Sequence, residues 1–81
     1  MNQDVKKYCK QLKKIANKGT FAIVPSKNKL TVTWQMNSTN GVLKNIICYM
    51  ARTPSCHRWR KNSSAFLNRT FNEMNIQATI K

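Results

Sequence analysis

The first part of the chain repeats apolar residues at the three- and four-residue spacing of an α-helix. Between Asp4 and Asn17 the apolar side chains fall on one arc, and lysines fill most of the rest. The apolar set is Val5, Tyr8, Cys9, Leu12, Ile15 and Ala16, and the lysines are Lys6, Lys7, Lys10, Lys13 and Lys14. The spacing predicts an amphipathic helix with one basic face, capped by Asn2 and terminated at Lys18-Gly19.

Two strand-like segments follow this helix. The composition of residues 20–24 predicts a short strand. Pro25 and a polar turn at residues 26–29 interrupt it. Apolar and polar residues then alternate, and the apolar set is Leu30, Val32, Trp34 and Met36. A two-residue period is typical of a strand buried on one face, so the pattern predicts a β-hairpin whose second strand places Trp34 in the core.

The segment after the Asn40-Gly41 turn is compatible with two structures. Its apolar residues fall on a helical stripe, which would make residues 40–51 a helix. The same segment is rich in Val, Ile, Cys and Tyr and directly follows a turn typical of hairpins, which favours a third antiparallel strand. We adopt the strand as the prediction and keep the helix as the alternative.

The last third of the chain predicts a second helix. Thr53 ends the preceding element, because a residue before proline is disfavoured in helical geometry. Asn62 or Ser63 can then cap a helix that runs through Met74. The side chains expected to face inward are Phe66, Leu67, Phe71 and Met74. Residues 76–80 either add a short edge strand or fray.

These elements predict one α+β domain over residues 1–81. Their order is α-β-β-β-α, which gives a three-stranded antiparallel sheet with two helices on one face. This order is similar to that of double-stranded-RNA-binding domains and of HicA-type mRNA-cleaving toxins. The predicted second helix does not begin with the Lys-Lys-x-Ala signature of the former, and the Gly-Ser-His-His motif of the latter is absent. The resemblance therefore implies the architecture and no activity.

Charge narrows the function more than any motif does. The chain has 15 Lys and Arg residues against Asp4 and Glu73, a net charge of +13. Such an excess repels itself and is relieved when an anionic polymer supplies counter-charge and releases its condensed cations. The sequence therefore predicts a non-catalytic protein that binds nucleic acid, either DNA or RNA. The alternative is a small interaction or inhibitor protein that docks on an acidic surface of a host or partner protein.

Two basic segments are the candidate binding surface. Lysines of the first helix can follow a phosphate backbone as point charges. Before the second helix, arginines and a lysine surround Trp59, which either stacks on an unpaired base or packs in the core. The predicted nucleic-acid-binding residues are Lys6, Lys10, Lys13, Lys14, Arg52, Arg58, Trp59, Arg60 and Lys61.

Residues that catalysis or metal binding would need are scarce. Cys9, Cys48, Cys56 and His57 lack the paired spacing of zinc ligands, so no metal or other cofactor is predicted. Two carboxylates in the whole chain exclude two-metal phosphoryl chemistry. The one place where ribonuclease chemistry could form is His57 with its neighbouring cations. A HicA-like ribonuclease toxin that uses His57 is therefore the second alternative.

The number of cysteines and the residues at the N-terminus both favour a cytoplasmic location. An odd number of cysteines argues against a disulfide framework and favours the reducing cytoplasm. The N-terminus lacks the apolar core of a signal peptide, and no apolar run is long enough to cross a bilayer, so no membrane partner is expected. The dense use of Asn and Lys suggests an AT-rich genome such as that of a phage or mobile element.

Overall fold

The computed structural model describes residues 3–54 and 57–80. Its elements, in chain order, are α1 (Gln3–Ile15), β1 (Ala22–Pro25), β2 (Lys29–Asn37), β3 (Leu43–Ala51) and α2 (Trp59–Glu73). The strands form an antiparallel sheet in the order β1-β2-β3. The predicted α+β class and the α-β-β-β-α order are confirmed. Strand β3 also decides between the two interpretations of residues 40–51, because a strand forms there and not a helix.

One face of the sheet is buried under the two helices. Along β2 every second side chain is buried, as the two-residue period predicted, and Trp34 is only 1% exposed. Strand β3 alternates in step, because Val32 lies opposite Cys48 and Trp34 opposite Ile46. The helices complete this core with Val5, Tyr8, Cys9, Leu12, Leu67 and Phe71. The other face of the sheet is left uncovered by both helices.

Two glycines close turns that need a left-handed backbone. Gly19 follows α1 with φ +81°, and Gly41 lies in the β2–β3 turn with φ +79°. In that turn the amide of Gly41 donates to the carbonyl of Ser38, and the amide of Ser38 donates to the carbonyl of Val42. Only glycine adopts such φ values without steric cost, and the predicted hairpin turn is confirmed. The predicted helix stop at Lys18-Gly19 is wrong, because α1 already ends at Ile15. Gly19 instead closes a separate turn, in which the Thr20 amide donates to the Asn17 carbonyl. The predicted cap Asn2 lies outside the described residues.

The second helix begins earlier than the sequence predicted. Arg58 is its N-cap residue and makes no side-chain cap bond, while Asn62 and Ser63 lie inside the helix. The earlier start has a packing reason, since it allows the ring of Trp59 to meet Tyr8 edge to face. Phe66 is also not inward as expected: it is 49% exposed, on the flank of α2 beside β3.

Residues 76–80 neither form a strand nor extend from the body of the protein. The backbone turns at Asn75, with φ 58°, and the chain then returns along α2 with Ile76 and Ile80 buried. The amide side chain of Asn68 holds this segment by accepting from the Ile80 amide at 2.8 Å and donating to the Ile80 carbonyl at 3.0 Å. The side chain thus satisfies the backbone groups that a strand partner would have satisfied.

Tyr8 joins the two helices. Its hydroxyl is 2.8 Å from the Ser64 hydroxyl, and this pair is buried. The ring meets the Trp59 indole with centroids 5.4 Å apart and an interplanar angle of 78°. Burial raises the pKa of the Tyr8 hydroxyl, which therefore stays a neutral hydrogen-bonding group. One side chain of α1 thus contacts two separate turns of α2.

Replacing Tyr8 with Phe should lower the free energy of unfolding by about 1 kcal/mol, the usual net value of one hydrogen bond. Urea denaturation measures this loss. Ser64→Ala should cost a similar amount, and the double variant should cost less than the sum, because the two hydroxyls are satisfied by each other. Strictly additive losses would contradict the coupling.

Cys48 should make the stability fall in alkaline solution. Burial raises the pKa of its thiol from 9.0 to about 11, with a smaller contribution from Cys9. The folded protein therefore keeps a proton that the unfolded chain loses above pH 9. The contribution of the protonated Cys48 thiol to the free energy of unfolding is intact below pH 9 and is lost as the pH rises towards 11. At pH 10 we expect a loss of about 1.4 kcal/mol relative to pH 8, measured by urea denaturation under reducing conditions.

The matched control for this experiment is Cys48→Ala, which lacks the titrating group. Its stability should fall less between pH 8 and pH 10 than that of the wild type. Equal falls in both proteins would show that the Cys48 thiol does not contribute to the pH dependence.

Candidate nucleic-acid interface

The topology gathers cations from three segments at one end of the sheet. The β1–β2 turn and the end of β3 lie there, because β2 begins where β3 ends. The first turns of α2 lie beside the second half of β3, because Asn62 and Ser63 line one hollow with Cys48 and Tyr49. We call this region the basic end, and its cations are Lys27, Lys29, Arg52, Arg58, Arg60 and Lys61. Four of these six were predicted as binding residues.

Arg52 ties the β1–β2 turn to the end of β3. Its backbone amide donates to the Asn28 carbonyl at 3.2 Å, and its guanidinium Nη1 donates to the Ser26 carbonyl at 3.2 Å. These bonds bring Lys27 and Lys29 beside Arg52. The sequence interpretation missed both lysines, although a predicted hairpin turn and the predicted end of β3 necessarily meet at the same end of an antiparallel sheet.

Arg60 is directed towards α1. Its Nη2 donates to the Gln11 side-chain oxygen at 3.2 Å, and its guanidinium carbon lies 5.5 Å from the centroid of the Tyr8 ring. This cation–π contact holds an otherwise flexible side chain between the two helices. The guanidinium has five N–H donors, so one bond to Gln11 leaves it able to bind an anion. Arg60 therefore links the basic end to α1.

Trp59 packs against Tyr8 and is half-buried. Of the two roles considered for it, packing is the one for which the structure supplies a partner. Stacking on an unpaired base stays a prediction. The indole also fixes the first turn of α2, where Arg60 and Lys61 are both exposed. Trp59 can therefore support binding by positioning these cations without touching a base.

The lysines of α1 lie on one continuous arc of the helix surface. Lys6, Lys10 and Lys13 line one hollow of about 470 Å³ beside β1, whose floor is made of Cys9, Phe21 and Ile23. Lys14 does not line this hollow, but it lies one turn beyond Lys10 and about 40° around the helix from it. We call Lys6, Lys10 and Lys13 the α1 lysine flank. Three of the four predicted binding lysines of α1 thus line one hollow, and Lys14 is the neighbour of Lys10 just outside it.

The uncovered face of the sheet is almost free of charge. Its side chains are those of Ala22, Val24, Lys29, Thr31, Thr33, Gln35, Asn37, Leu43, Asn45, Ile47, Tyr49 and Ala51. Only Lys29 among them is a cation, and it lies at the basic end. In contrast, eight of the 15 Lys and Arg residues lie within the two helices. The positive charge is therefore concentrated on the helical side and the basic end.

His57 lies at the start of α2 and is exposed. It lines a hollow of about 530 Å³ together with Arg60, Lys61, Ser64 and Asn68. The hydroxyl of Ser64 is already paired with Tyr8, so His57 is the member of this group suited to proton transfer. Within residues 3–54 and 57–80, no three His, Cys, Asp or Glu side chains are grouped closely enough to hold a metal ion.

Comparison with protein-family models, with curated proteins and with solved structures finds no match to this chain. In the described part of the chain, neither helix combines the length and the apolar character that crossing a bilayer requires.

Proposed function

We propose that the protein binds nucleic acid without catalysis, contacting the phosphate backbone through the basic end and the α1 lysine flank. The observation that carries the proposal is the uneven distribution of charge, with three chain segments converging at the basic end while the opposite sheet face holds only Lys29. Phosphates repeat at short intervals along a strand, so a dense group of cations binds them better than the same cations spread evenly.

Two features of the start of α2 support this surface. The side chain of Arg58 makes no cap bond at the positive end of the helix, which lies beside Arg60 and Lys61. Arginine also forms forked bonds to phosphate, and Arg60 is oriented by Gln11 and Tyr8 in advance. Less conformational freedom is then lost on binding. The proposal includes a reducing compartment such as the cytoplasm, since the described cysteines, Cys9 and Cys48, are buried and unpaired.

Fluorescence anisotropy with a labelled 20-base-pair duplex tests this proposal, with DNA and RNA and with single strands for comparison. The affinity should fall with added salt, by about 0.9 log units per log unit of salt for each phosphate contacted on a duplex. In the double variant Lys29→Gln/Arg58→Gln, the slope of log affinity against log salt concentration should become shallower by about 1.8, because two phosphate contacts are lost. A flat salt response in the wild type, or no binding at low salt, would rule the proposal out.

A matched control separates specific placement from total charge. The double variant Lys44→Gln/Arg69→Gln also removes one lysine and one arginine, but from the start of β3 and the last turns of α2, away from the basic end. We expect this variant to keep most of the wild-type affinity and slope. Equal losses in both double variants would mean that net charge alone governs binding. A protein partner that remains bound after nuclease treatment would instead favour docking on an acidic protein surface.

A ribonuclease is the second candidate, because His57, Arg60 and Lys61 line one hollow. The cations could hold a phosphate while the imidazole transfers a proton. His57→Ala should then abolish cleavage of a labelled RNA and leave its binding unchanged. Absence of cleavage by the wild-type protein would eliminate this candidate.

A further inference from the structure

The outer edge of β3 carries backbone groups without a strand partner in the described part of the chain. The Ser38 amide donates to the Val42 carbonyl, and bonded pairs alternate along an antiparallel ladder. Residues 44, 46, 48 and 50 therefore bond to β2. The N–H and C=O groups that point away from β2 belong to Leu43, Asn45, Ile47, Tyr49 and Ala51.

Strand β3 lacks the features that usually protect a sheet edge. It has nine residues, contains neither proline nor glycine, and carries no charged side chain at the five outward-bonding positions. The opposite edge, β1, has four residues and ends in Pro25, which cannot donate a hydrogen bond. The C-terminal segment lies against Asn68, on the flank of α2 away from β3, and so does not cover this edge.

Apolar side chains surround the free edge. Leu43, Ile47 and Tyr49 are 53%, 47% and 66% exposed on the uncovered sheet face. On the helical side, Phe66 is half-exposed and lines a hollow of about 260 Å³ with Cys48, Tyr49, Asn62 and Ser63. A strand added at β3 would cover apolar groups on both faces of the sheet. A long free edge flanked in this way is typical of a strand-pairing surface.

Charge identifies the partner that fits this edge. An acidic protein or a nucleic acid would be attracted to the basic end, whereas the outward-bonding positions of β3 offer no cation. Two copies of a chain with net charge +13 repel each other through most of their surfaces. They can approach most closely where charge is lowest, and the edge of β3 is such a place. An edge strand is also complementary to itself in antiparallel pairing.

We propose that two copies of the protein pair through β3 to form a continuous six-stranded sheet. The register that uses all five outward-bonding residues is centred on Ile47, which lies opposite Ile47 of the second copy. Leu43 then faces Ala51 and Asn45 faces Tyr49 across the two-fold axis. Each of these pairs forms two backbone hydrogen bonds. Phe66 of each copy lies over the added strand.

Resting on the proposed function, this dimer also has a consequence for nucleic-acid binding. A two-fold axis perpendicular to the sheet keeps all four helices on one face and places the two basic ends at opposite ends of the dimer. The dimer therefore has twice the cationic surface of a monomer, and the cationic helices all lie on the same side of the sheet. A dimer would contact a longer stretch of phosphate backbone than a monomer.

Sedimentation velocity on nuclease-treated protein, from about 5 to 200 μM, tests the dimer without nucleic acid. The dimer fraction should rise with protein concentration and also with salt, because salt screens the repulsion between the copies. Phosphate binding has the opposite salt dependence. Failure of the proposed function and failure of the dimer can therefore be told apart.

Ile47→Lys is the decisive variant, since it would place two like charges opposite each other at the two-fold axis. It should weaken dimerisation at least tenfold, and Tyr49→Lys should act in the same direction. Thr33→Lys is the matched control: it adds one charge to the same sheet face, on the neighbouring strand β2. Circular dichroism checks that each variant is folded.

Three results would overturn the proposal. One is a monomer at every concentration and salt. Another is an equal effect of Ile47→Lys and Thr33→Lys, which would locate the contact away from the β3 edge. The third is a continuous series of larger species, because two-fold pairing at one edge stops at two copies.

Discussion

Leu30, Val32, Trp34 and Met36 form the row of side chains that both helices cover. Because β2 is the central strand, its alternation fixes which face of all three strands is buried and which face both helices leave open. A shift of one residue would move Trp34 to the open side and a threonine into the core. The positions of the helices, and of the cations they carry, depend on this one register.

The helices carry charge because the sheet gives them only one apolar face to cover. Each helix buries a narrow stripe, and its remaining positions meet water, where lysine and arginine are stable. The open face of the sheet needs no charged side chains, since threonine, asparagine and glutamine are compatible with the solvent-exposed face of a strand. The result is a molecule with a cationic helical side and a nearly neutral sheet side. These two sides are suited to different kinds of partner.

The sequence predicted well the elements whose pattern has a single interpretation. The α1 stripe and the β2 alternation each match one structure, and Trp34 is buried as its position in β2 required. Residues 43–51 were harder, because Ile46, Ile47 and Met50 fit a helical stripe while Ile46, Cys48 and Met50 fit the two-residue period of a strand. Tertiary pairing with β2 decides between the two.

The candidate site was less predictable because it is made by contacts between distant segments. Arg58 to Lys61 have no apolar period, so the start of α2 was placed too late, and the contact with Tyr8 that fixes it lies far away in the sequence. The orientation of Arg60 needs Gln11, which no local pattern indicates. Lys27 and Lys29 could have been included from topology, since a hairpin turn and a strand end share one edge of the sheet.

The bond between Tyr8 and Ser64 joins residues 56 positions apart. The contact between the two helices therefore forms only after the long segment between them has closed. High contact order of this kind slows folding and makes it cooperative. A partly folded form with one helix docked would leave part of the buried sheet face exposed to water, and the domain should therefore open and close as a single unit.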